Sequence, residues 1–420
     1  MQFRLKSWDA IRPRFRKIPG EWMQGDYSKL EAERGRLLDA ASRIVVKLGT
    51  STVTAPDGTL CHERVAPLMQ SVARLHDAGK QVVIVSSGAI GLGRGWLGLH
   101  RSRLEDLATK QACAAVGQSL LMNAYKEIFS VWDIKVAQVL LTGEDFSNWG
   151  RYTKLRRTME KLLSLKVIPI VNENDTVSTA EIESLDRESR SAAFSDNDRL
   201  AALVMSGLDG DVLVLLTNVD GFLQKGPGDT QENLKSETIP LIAKVTTELK
   251  AQAAGPAAGG RGGMLTKLEA GEIAMNCGRL AVIANGTKPD ILERIFAGEP
   301  VGTAFVQAHR IRGKRRWIAY AAGVRGRVTV DAGARRAITQ GKASLLTSGV
   351  ERVDGTFSPM DVVSIVDTTG QEIARGIVTC ASNKAEEMVK KKNMASGKTR
   401  QASSPHILVR RDNIVLLEQT

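Results

Sequence analysis

The chain reads Val171-Asn172-Glu173-Asn174-Asp175-Thr176-Val177 directly after one apolar run, and Phe194-Ser195-Asp196-Asn197-Asp198 directly before another. We call these two stretches together the polar block. Burying so many carboxylates and amides without partners would cost several kcal/mol, so they are not core residues. We interpret the polar block as a ligand site at the end of a strand.

Outward from the polar block, short runs rich in valine, isoleucine and leucine alternate with longer stretches of helical period. The predicted strands are Ile44–Val46, Gln81–Val85, Lys135–Leu140, Val167–Val171, Val212–Leu216 and Leu280–Ala284. The predicted helices include Ser28–Ala41, Val65–Ala78, Ala108–Phe129, Arg156–Leu165 and Met264–Ala274. This alternation predicts an α/β fold, in which a mainly parallel central sheet carries helices on both faces.

The pattern changes after about residue 312, where short strands are separated by glycine turns. The predicted strands there are Arg327–Val330, Ser344–Leu346, Val362–Val366 and Glu372–Val378, with a last one at Ile407–Val409 or Ile414–Leu417. We interpret the lysine-rich stretch Met388–Ser403 as a polar connector. The C-terminal part is therefore predicted to be a small β-rich domain.

Length and composition limit the class of protein. The 420 residues leave room for two or three domains, and 43% hydrophobic with 25% charged residues is ordinary for a soluble globular protein. No apolar run approaches the roughly 18 residues that span a bilayer. The four cysteines are far apart and form no Cys-x-x-Cys pair, so we expect neither disulfides nor a zinc site, and a cytoplasmic location.

The net charge of +12 is concentrated at the two ends of the chain. Residues 1–17 carry a net charge of +5 and residues 310–420 a net charge of +10, whereas the 292 residues between them carry −3. A basic C-terminal domain suits either RNA binding or a solvated surface, and both interpretations stay open. Residues 1–42 lack the apolar segment of a secretory signal, and we interpret them as a basic extension.

Three glycine-rich loops lie next to predicted strands or helices: Gly49-Thr50-Ser51, Ser86-Ser87-Gly88-Ala89 and Gly262-Gly263-Met264-Leu265-Thr266-Lys267. Glycine lets backbone amides approach phosphate oxygens, and a helix N-terminus adds positive potential. Ligands of open α/β sheets gather at the carboxyl ends of the strands. The loops therefore predict a phosphate site.

Two better-known signatures do not account for this site. The match to Gly-x-Gly-x-x-Gly at Gly93–Gly98 starts eight residues beyond the strand that ends at Val85, and we interpret it as coincidental. The stretch Gly397-Lys398-Thr399 lacks the earlier glycine of a Walker loop, because position 392 is Lys392.

Two lysines are candidates for contacting phosphate. Lys47 lies inside the first predicted strand, where it is either a phosphate-binding residue or an edge-strand lysine that reaches water. Lys267 lies in the first turn of a predicted helix, where lysines are more often on the surface. Only the glycines before it suggest that it contacts phosphate.

Several of these motifs, taken together and in this order, resemble the glutamate 5-kinase family from about residue 43 to residue 305. The motifs are Val45–Ser51, Val85–Ile90, Lys110–Ala112 with Ala115–Gln118, Asn172–Asp175, Ser195–Asp198, and Gly262–Met264 with Thr266 and Lys267. Residues 314–392 resemble a PUA domain. The resemblance implies an amino acid kinase domain at 43–309, a PUA-like domain at 314–392, and a connector with a terminal strand at 393–420.

The resemblance also implies the reaction: ATP-dependent phosphorylation of the γ-carboxylate of L-glutamate to γ-glutamyl phosphate, in proline biosynthesis, with Mg²⁺. It further implies a homo-oligomer, feedback inhibition by proline, and γ-glutamyl phosphate reductase as a partner. A carboxylate of pKa about 4.3 is already ionised at neutral pH, so this nucleophile needs no general base. The five histidines accordingly have no predicted role.

The resemblance assigns roles to individual residues. The catalytic residues are Lys47, Lys267 and Asp198, with Asp198 between the lysines. The glutamate-binding residues are Ser87, Asp175 and Asn197, with Asp196 as a second candidate for the ammonium group. The ATP-binding residues are Lys47, Gly49, Thr217, Asn218, Arg261, Gly262, Gly263, Met264, Leu265, Thr266 and Lys267. No residue is assigned to a metal.

Several positions depart from the family pattern: Ser195, Asn218, Leu265, Lys154-Leu155 and the long segment Glu183–Ala193. They bear on nucleotide affinity and loop geometry more than on the type of reaction. Two alternatives remain, namely a kinase of the same fold with another acceptor and an RNA-binding protein that acts through its PUA-like domain. Asp175 and Asn197 favour an amino acid acceptor, since acidic segments repel phosphate.

Overall fold

The computed structural model describes most of the chain. The described residues are 27–100, 106–177, 197–223, 238–253, 263–288, 290–306, 317–321, 323–340, 343–395 and 406–417. Contacts divide the chain into two units, and residues 142–158 group with the C-terminal one.

An eight-stranded sheet forms the centre of the first unit. Its strands are β1 Arg43–Leu48, β2 Gln81–Ser86, β3 Val136–Leu141, β4 Ile168–Glu173, β5 Val212–Thr217, β6 Leu241–Ile242, β7 Leu280–Asn285 and β8 Thr303–Phe305. Their order is β3-β4-β2-β1-β5-β7-β8-β6, and every pairing is parallel except that of β7 with β8. The predicted, mainly parallel sheet is confirmed.

Helices lie between these strands along the chain. They are α1 Tyr27–Asp39, α2 Thr50–Val53, α3 His62–Asp77, α4 Ala89–Trp96, α5 Leu107–Ser130, α6 Gly143–Ser147, α7 Trp149–Ser164, α8 Asn197–Gly207, α9 Thr247–Ala253, α10 Met264–Asn276 and α11 Ile291–Phe296. Within the described residues, no helix is both long and apolar enough to cross a membrane.

The alternation of side chains along β1 separates the core from the site. Ile44, Val46 and Leu48 point to one face, where they join a buried cluster with residues of α1, α3, α5 and α11. Lys47 belongs to the opposite face, because successive side chains of a strand point in opposite directions. Helices α8 and α10 pack on that face and against each other.

Lys47 lies on a central strand. Its partners in the register are Val85 of β2 on one side and Leu215 of β5 on the other, and it is 4% exposed. The interpretation of Lys47 as an edge-strand lysine that reaches water is therefore wrong. The chain runs from β1 to β2 on one side and from β5 to β7 on the other, so the neighbouring strands β1 and β5 lie where the connections diverge, the usual place for a ligand cleft.

Helices α4 and α5 touch backbone to backbone through glycine. A Cβ atom on Gly93 would lie 1.9 Å from the carbonyl oxygen of Cys113, and one on Gly117 would lie 1.7 Å from that of Ala89. Both distances are far inside van der Waals contact. The Gly-x-Gly-x-x-Gly match therefore includes a glycine that the packing of α4 on α5 requires.

The second unit contains a six-stranded sheet of order β10-β14-β13-β12-β9-β11. Its elements are β9 Val324–Val330, α12 Ala332–Thr339, β10 Leu345–Leu346, β11 Val350–Asp354, β12 Val362–Val366, β13 Glu372–Val378, α13 Ser382–Ala395 and β14 Ile407–Leu416, with a π-helical turn at Trp317–Ala321 and a 3₁₀ turn at Thr347–Gly349. The predicted β-rich domain is confirmed.

Two details of the C-terminal prediction are wrong. The stretch interpreted as a connector from Met388 is helical as far as Ala395, because α13 buries Ala385 and Val389 against the sheet core. The two alternative last strands are one strand, β14, which pairs with both β13 and β10.

Candidate active site

The two candidate lysines lie on either side of one carboxylate. Lys47 Nζ is 2.6 Å from Asp198 Oδ1, and Lys267 Nζ is 3.0 Å from Asp198 Oδ2. Lys267 is 6% exposed and Asp198 is fully buried. We call these three residues the ion triplet. Charged side chains are almost never so buried unless they are paired, and each member of the triplet has such a partner.

The environment of Asp198 keeps its carboxyl group ionised. Burial alone would raise its pKa, but the ammonium groups of Lys47 and Lys267 outweigh that effect and lower the pKa to about 2. Asp198 also lies in the first turn of α8, where the helix N-terminus favours negative charge. With both lysines protonated, the triplet carries a net positive charge that suits an anion.

Glycines bring the backbone close to the ion triplet. A Cβ atom on Gly49 would lie 3.8 Å from Lys47 Nζ and 3.6 Å from the carbonyl oxygen of Leu216, so this backbone position borders the Lys47 ammonium group. Thr266 Oγ1 lies 2.9 Å from the carbonyl oxygen of Gly263 and 3.1 Å from Asp198 Oδ2. The first turn of α10 is thereby tied to the carboxylate.

Three of the predicted residues lie at the ends of β2 and β4 and the start of α8. Asn197 Nδ2 donates to Ser87 Oγ at 2.7 Å, and the backbone amide of Ser87 donates to the carbonyl oxygen of Leu48 at 3.1 Å. Asp175 is half-buried on the turn that follows β4. The structure thus brings Asn197 and Ser87 into direct contact, one residue away from the ion triplet.

The remaining predicted residues surround β5 and α10. Thr217 ends β5 and is 8% exposed, and Asn218 follows it on the surface. Met264 and Leu265 open α10 and are partly buried. Other predicted or noted residues lie outside the described ones: Arg261, Gly262, Ser195 and Asp196.

The sequence analysis did not predict the hydrogen bonds of several buried polar groups beside this site. Asn172 Nδ2 donates to Gln118 Oε1 at 3.0 Å, and Asn172 Oδ1 accepts from Asn197 Nδ2 at 3.1 Å. Ser86 and Tyr125 share a buried hydrogen bond of 2.7 Å between their hydroxyl oxygens. The available signal was Gln118, a glutamine on the buried face of α5, whose other buried residues are Cys113, Ala114, Gly117, Leu121, Tyr125 and Phe129.

A separate cavity of about 270 Å³ lies beyond the carboxyl ends of β5 and β7. Its polar lining includes Asp220, whose carboxylate accepts from Asn285 Nδ2 at 2.7 Å and from Lys288 Nζ at 2.6 Å. The Lys288 and Asn285 hydrogen bonds lower the pKa of Asp220. The cavity is lined by none of the predicted site residues.

Among the described residues, no group of three or more acidic, histidine or cysteine side chains is arranged to hold a metal ion. The carboxylate oxygens of Asp198 face ammonium groups, which repel a cation.

Two protein-family sequence models match this chain and identify its class. The sequence model of the amino acid kinase family matches residues 42–285, and that of the PUA domain matches residues 326–396. The first match covers more than half of the chain, so this is a phosphotransferase of the amino acid kinase class with a PUA domain. Among solved structures, the UMP kinase of Bacillus anthracis covers 63% of this chain and 96% of its own at 14% identity, with a TM-score of 0.44, too low to bear on the fold.

Individual relatives identify the family within this class. The glutamate 5-kinase of Moorella thermoacetica is 40% identical over 389 residues, which cover 92% of this chain and 99% of the relative. The glutamate 5-kinase of Myxococcus xanthus is 43% identical over 348 residues, which cover 82% and 88%. That of Geobacter sulfurreducens is 41% identical over 347 residues, which cover 82% and 89%. The chain belongs to the glutamate 5-kinase family.

Proposed function

We propose that the protein uses ATP to phosphorylate the γ-carboxylate of L-glutamate, giving γ-glutamyl phosphate, the first intermediate of proline biosynthesis. One observation carries the proposal. Asn197 and Asp198 are consecutive residues; the first binds Ser87 at 2.7 Å and the second binds both Lys47 and Lys267. Two sites are therefore joined by a single peptide unit. The neutral site at Asn197 suits an amino acid, and the cationic site at Asp198 suits a phosphate group.

The ion triplet acts on the phosphoryl group. Phosphoryl transfer requires in-line positioning and stabilisation of the charge on the moving group, rather than covalent help from the protein. Lys47 and Lys267 provide positive charge from two elements, and Asp198 holds both ammonium groups in place. Gly49 and Gly263 to Lys267 bind the ATP phosphates, and Thr217 and Asn218 contact the nucleotide. Arg261 and Gly262, which precede Gly263 in the sequence, are also proposed to bind ATP.

The acceptor site orients glutamate. Asp175 and the amide oxygen of Asn197 accept hydrogen bonds from the α-ammonium group of glutamate, while the Ser87 hydroxyl group donates to a glutamate carboxylate. The attacking γ-carboxylate is already ionised at neutral pH, so no residue has to remove a proton. Specificity then follows from the spacing between Asp175 and the ion triplet.

Magnesium enters this scheme with the nucleotide. Mg²⁺ is usually bound by substrate phosphates, one or two carboxylates and water, rather than by a dedicated protein cage. At the ion triplet, both carboxylate oxygens of Asp198 are paired with lysine.

The test traps the acyl phosphate. ATP, Mg²⁺ and L-glutamate with hydroxylamine are expected to give glutamyl hydroxamate, and Lys47→Ala is expected to lower the rate by about 10²-fold or more because it removes charge stabilisation. Aspartate and N-acetylglutamate, run in parallel, test the acceptor. Wild-type protein that forms no more hydroxamate than Lys47→Ala would refute the assignment.

The resemblance to glutamate 5-kinases supports further proposals about partners. We expect a cytoplasmic homo-oligomer that proline inhibits and whose reactive product is consumed by γ-glutamyl phosphate reductase. We also retain the domain limits 1–42, 43–309, 314–392 and 393–420 as proposals. Size-exclusion chromatography with light scattering and a proline titration of the hydroxamate assay test the first two.

An RNA role for the C-terminal unit is a second candidate. Its support is the net charge of +10 on residues 310–420 together with exposed arginines, including Arg327, Arg352, Arg410 and Arg411. Binding to structured RNA should weaken steeply with salt, because each neutralised phosphate releases counterions. Binding that is absent at low salt would remove this candidate.

A further inference from the structure

We propose that Gln118 is a positioning residue of the acceptor site, which fixes the orientation of the Asn197 amide through Asn172. The inference rests on the proposed function, because it names a residue that prepares the same site for an amino acid. Gln118 does not need to touch the substrate for this role.

Three side-chain amides form a hydrogen-bonded chain with one direction, which we call the amide relay. Asn197 Nδ2 donates to Asn172 Oδ1 at 3.1 Å, and Asn172 Nδ2 donates to Gln118 Oε1 at 3.0 Å. Asn197 Nδ2 also donates to Ser87 Oγ at 2.7 Å. Asn197 and Asn172 each present a nitrogen to the next oxygen, so the orientation of one amide determines that of its neighbour, and the relay ends at Gln118, whose buried Nε2 has no partner among the described residues.

The relay is buried and spans three separate elements. Gln118 of α5 is 8% exposed and Asn172 of β4 is 2% exposed, and Asn197 opens α8. Buried amides are costly unless they are hydrogen-bonded, so each member depends on its partner. Gly117, which comes directly before Gln118, lies against the carbonyl oxygen of Ala89, and this backbone contact fixes the depth of Gln118.

The direction of the relay determines what Asn197 can offer. Among the described residues, no donor reaches Asn197 Oδ1, which is buried. In the observed direction, its nitrogen faces Asn172 and Ser87, and its oxygen is left for a donor such as an ammonium group. If the Asn172 amide rotated by half a turn, its nitrogen would face the nitrogen of Asn197 and its oxygen would face the oxygen of Gln118, so both hydrogen bonds would be lost. The Gln118 oxygen opposes this rotation, because it accepts only from a nitrogen.

The first experiment replaces Gln118 by an apolar side chain of similar length. Gln118→Met removes the acceptor at the end of the relay, and we expect the glutamate KM to rise about tenfold while the ATP KM stays within about twofold and kcat within about threefold. Ser119→Ala, an exposed neighbour on α5, is the control and should leave all three parameters unchanged. A mere packing defect would lower stability and affect both substrates. Gln118→Leu is the second variant if the methionine protein does not fold.

A double-mutant cycle tests the connection to Asn197. In an Asn197→Ala background the relay has no amide to orient, so Gln118→Met should change the glutamate KM by less than about twofold. The effects of Asn197→Ala and Gln118→Met on the glutamate KM should therefore not multiply. Effects that multiply, or an unchanged glutamate KM in Gln118→Met, would overturn the role of Gln118. Wild-type protein without hydroxamate activity would instead overturn the proposed function, so the two failures are distinguishable.

Discussion

At the scale of the residue, the decisive feature is a carboxylate that two ammonium groups share. Removing one member of a buried ion pair costs about 3 to 5 kcal/mol, because the remaining charge loses its partner. Asp198 therefore has a structural role, in addition to the functional role that we propose for it. Its two lysines would repel each other across a few ångströms without it.

We predict that Asp198→Asn abolishes most of the activity. The amide is nearly the same size but carries no charge, so Lys47 and Lys267 lose their common anchor, and kcat should fall by about 10²-fold or more. Hydroxamate formation measures this. Thr266→Val, which keeps the carboxylate and removes one hydrogen bond to it, should cost much less. Equal losses in the two variants would contradict the central role of the charge.

We also predict that the effect of Asp198→Asn on the unfolding free energy depends on pH. The pKa of Asp198 is lowered to about 2 in the folded protein, below the unfolded value, so its ionisation stabilises the fold above about pH 4, and this contribution is lost as pH falls through about 2. The contribution is roughly 2 to 3 kcal/mol. The difference in unfolding free energy between wild type and Asp198→Asn should be constant from pH 5 to 7 and shrink below pH 4.

Residues of the site differ in how far the sequence predicts them. Lys47 and Lys267 stand next to glycine loops, and those motifs predict that they meet; the structure brings them to Asp198. Gln118 and Asn172 are not predictable in this way. Their hydrogen bond joins residues 54 positions apart, and an amide on a helix looks the same whether it faces water or a buried partner.

At the scale of the element, the strands were predictable because a parallel sheet covered on both faces needs continuous apolar runs. Strand β5 is buried at every position, which no surface strand would be. The last strand was harder, because β14 contains Arg410, Arg411 and Asp412 in its middle, and polar residues there suggested a break. Its pairing with β13 and β10 overrides that local pattern.

The contact between α4 and α5 makes a prediction about glycine. Gly117→Ala would place a methyl group 1.7 Å from the carbonyl oxygen of Ala89, so the helices must move apart, and we expect a loss of about 3 kcal/mol in unfolding free energy. Because Ala89 follows the Ser87 loop and Gln118 follows Gly117, the glutamate KM should rise as well. Guanidinium unfolding and steady-state kinetics measure the two effects.

Gly35→Ala is the matched control for this prediction. Gly35 also lies inside a helix, α1, but no atom lies within 4 Å of the position of its Cβ. Alanine favours helix by up to about 1 kcal/mol over glycine, so this variant should be as stable as wild type or slightly more stable. If Gly117→Ala behaved like Gly35→Ala, the close approach of α4 and α5 would be wrong.

At the scale of the whole molecule, the C-terminal unit includes a segment that the sequence predicted to be part of the kinase domain. Within this unit, the ring of Trp317 lies 4.9 Å from that of Trp149 and 5.4 Å from that of Tyr152. Asn148 Nδ2 donates to Asp361 Oδ1 at 3.2 Å. No pattern in the sequence predicts such pairs, because the partners lie more than 150 positions apart.

Trp317 should therefore hold residues 142–158 in the C-terminal unit. It is 1% exposed, and Trp317→Ala should cost that unit about 3 to 5 kcal/mol, because the loss of the indole leaves a cavity beside Trp149 and Tyr152. Hydrogen exchange measured by mass spectrometry should become faster in peptides from Trp149–Thr158 and from β12, and stay unchanged in peptides from β5. Trp96→Ala is the control, since Trp96 is 73% exposed and its removal should leave every peptide unchanged. Faster exchange in β5 as well, or none near Trp149, would show that the aromatic cluster does not hold this segment.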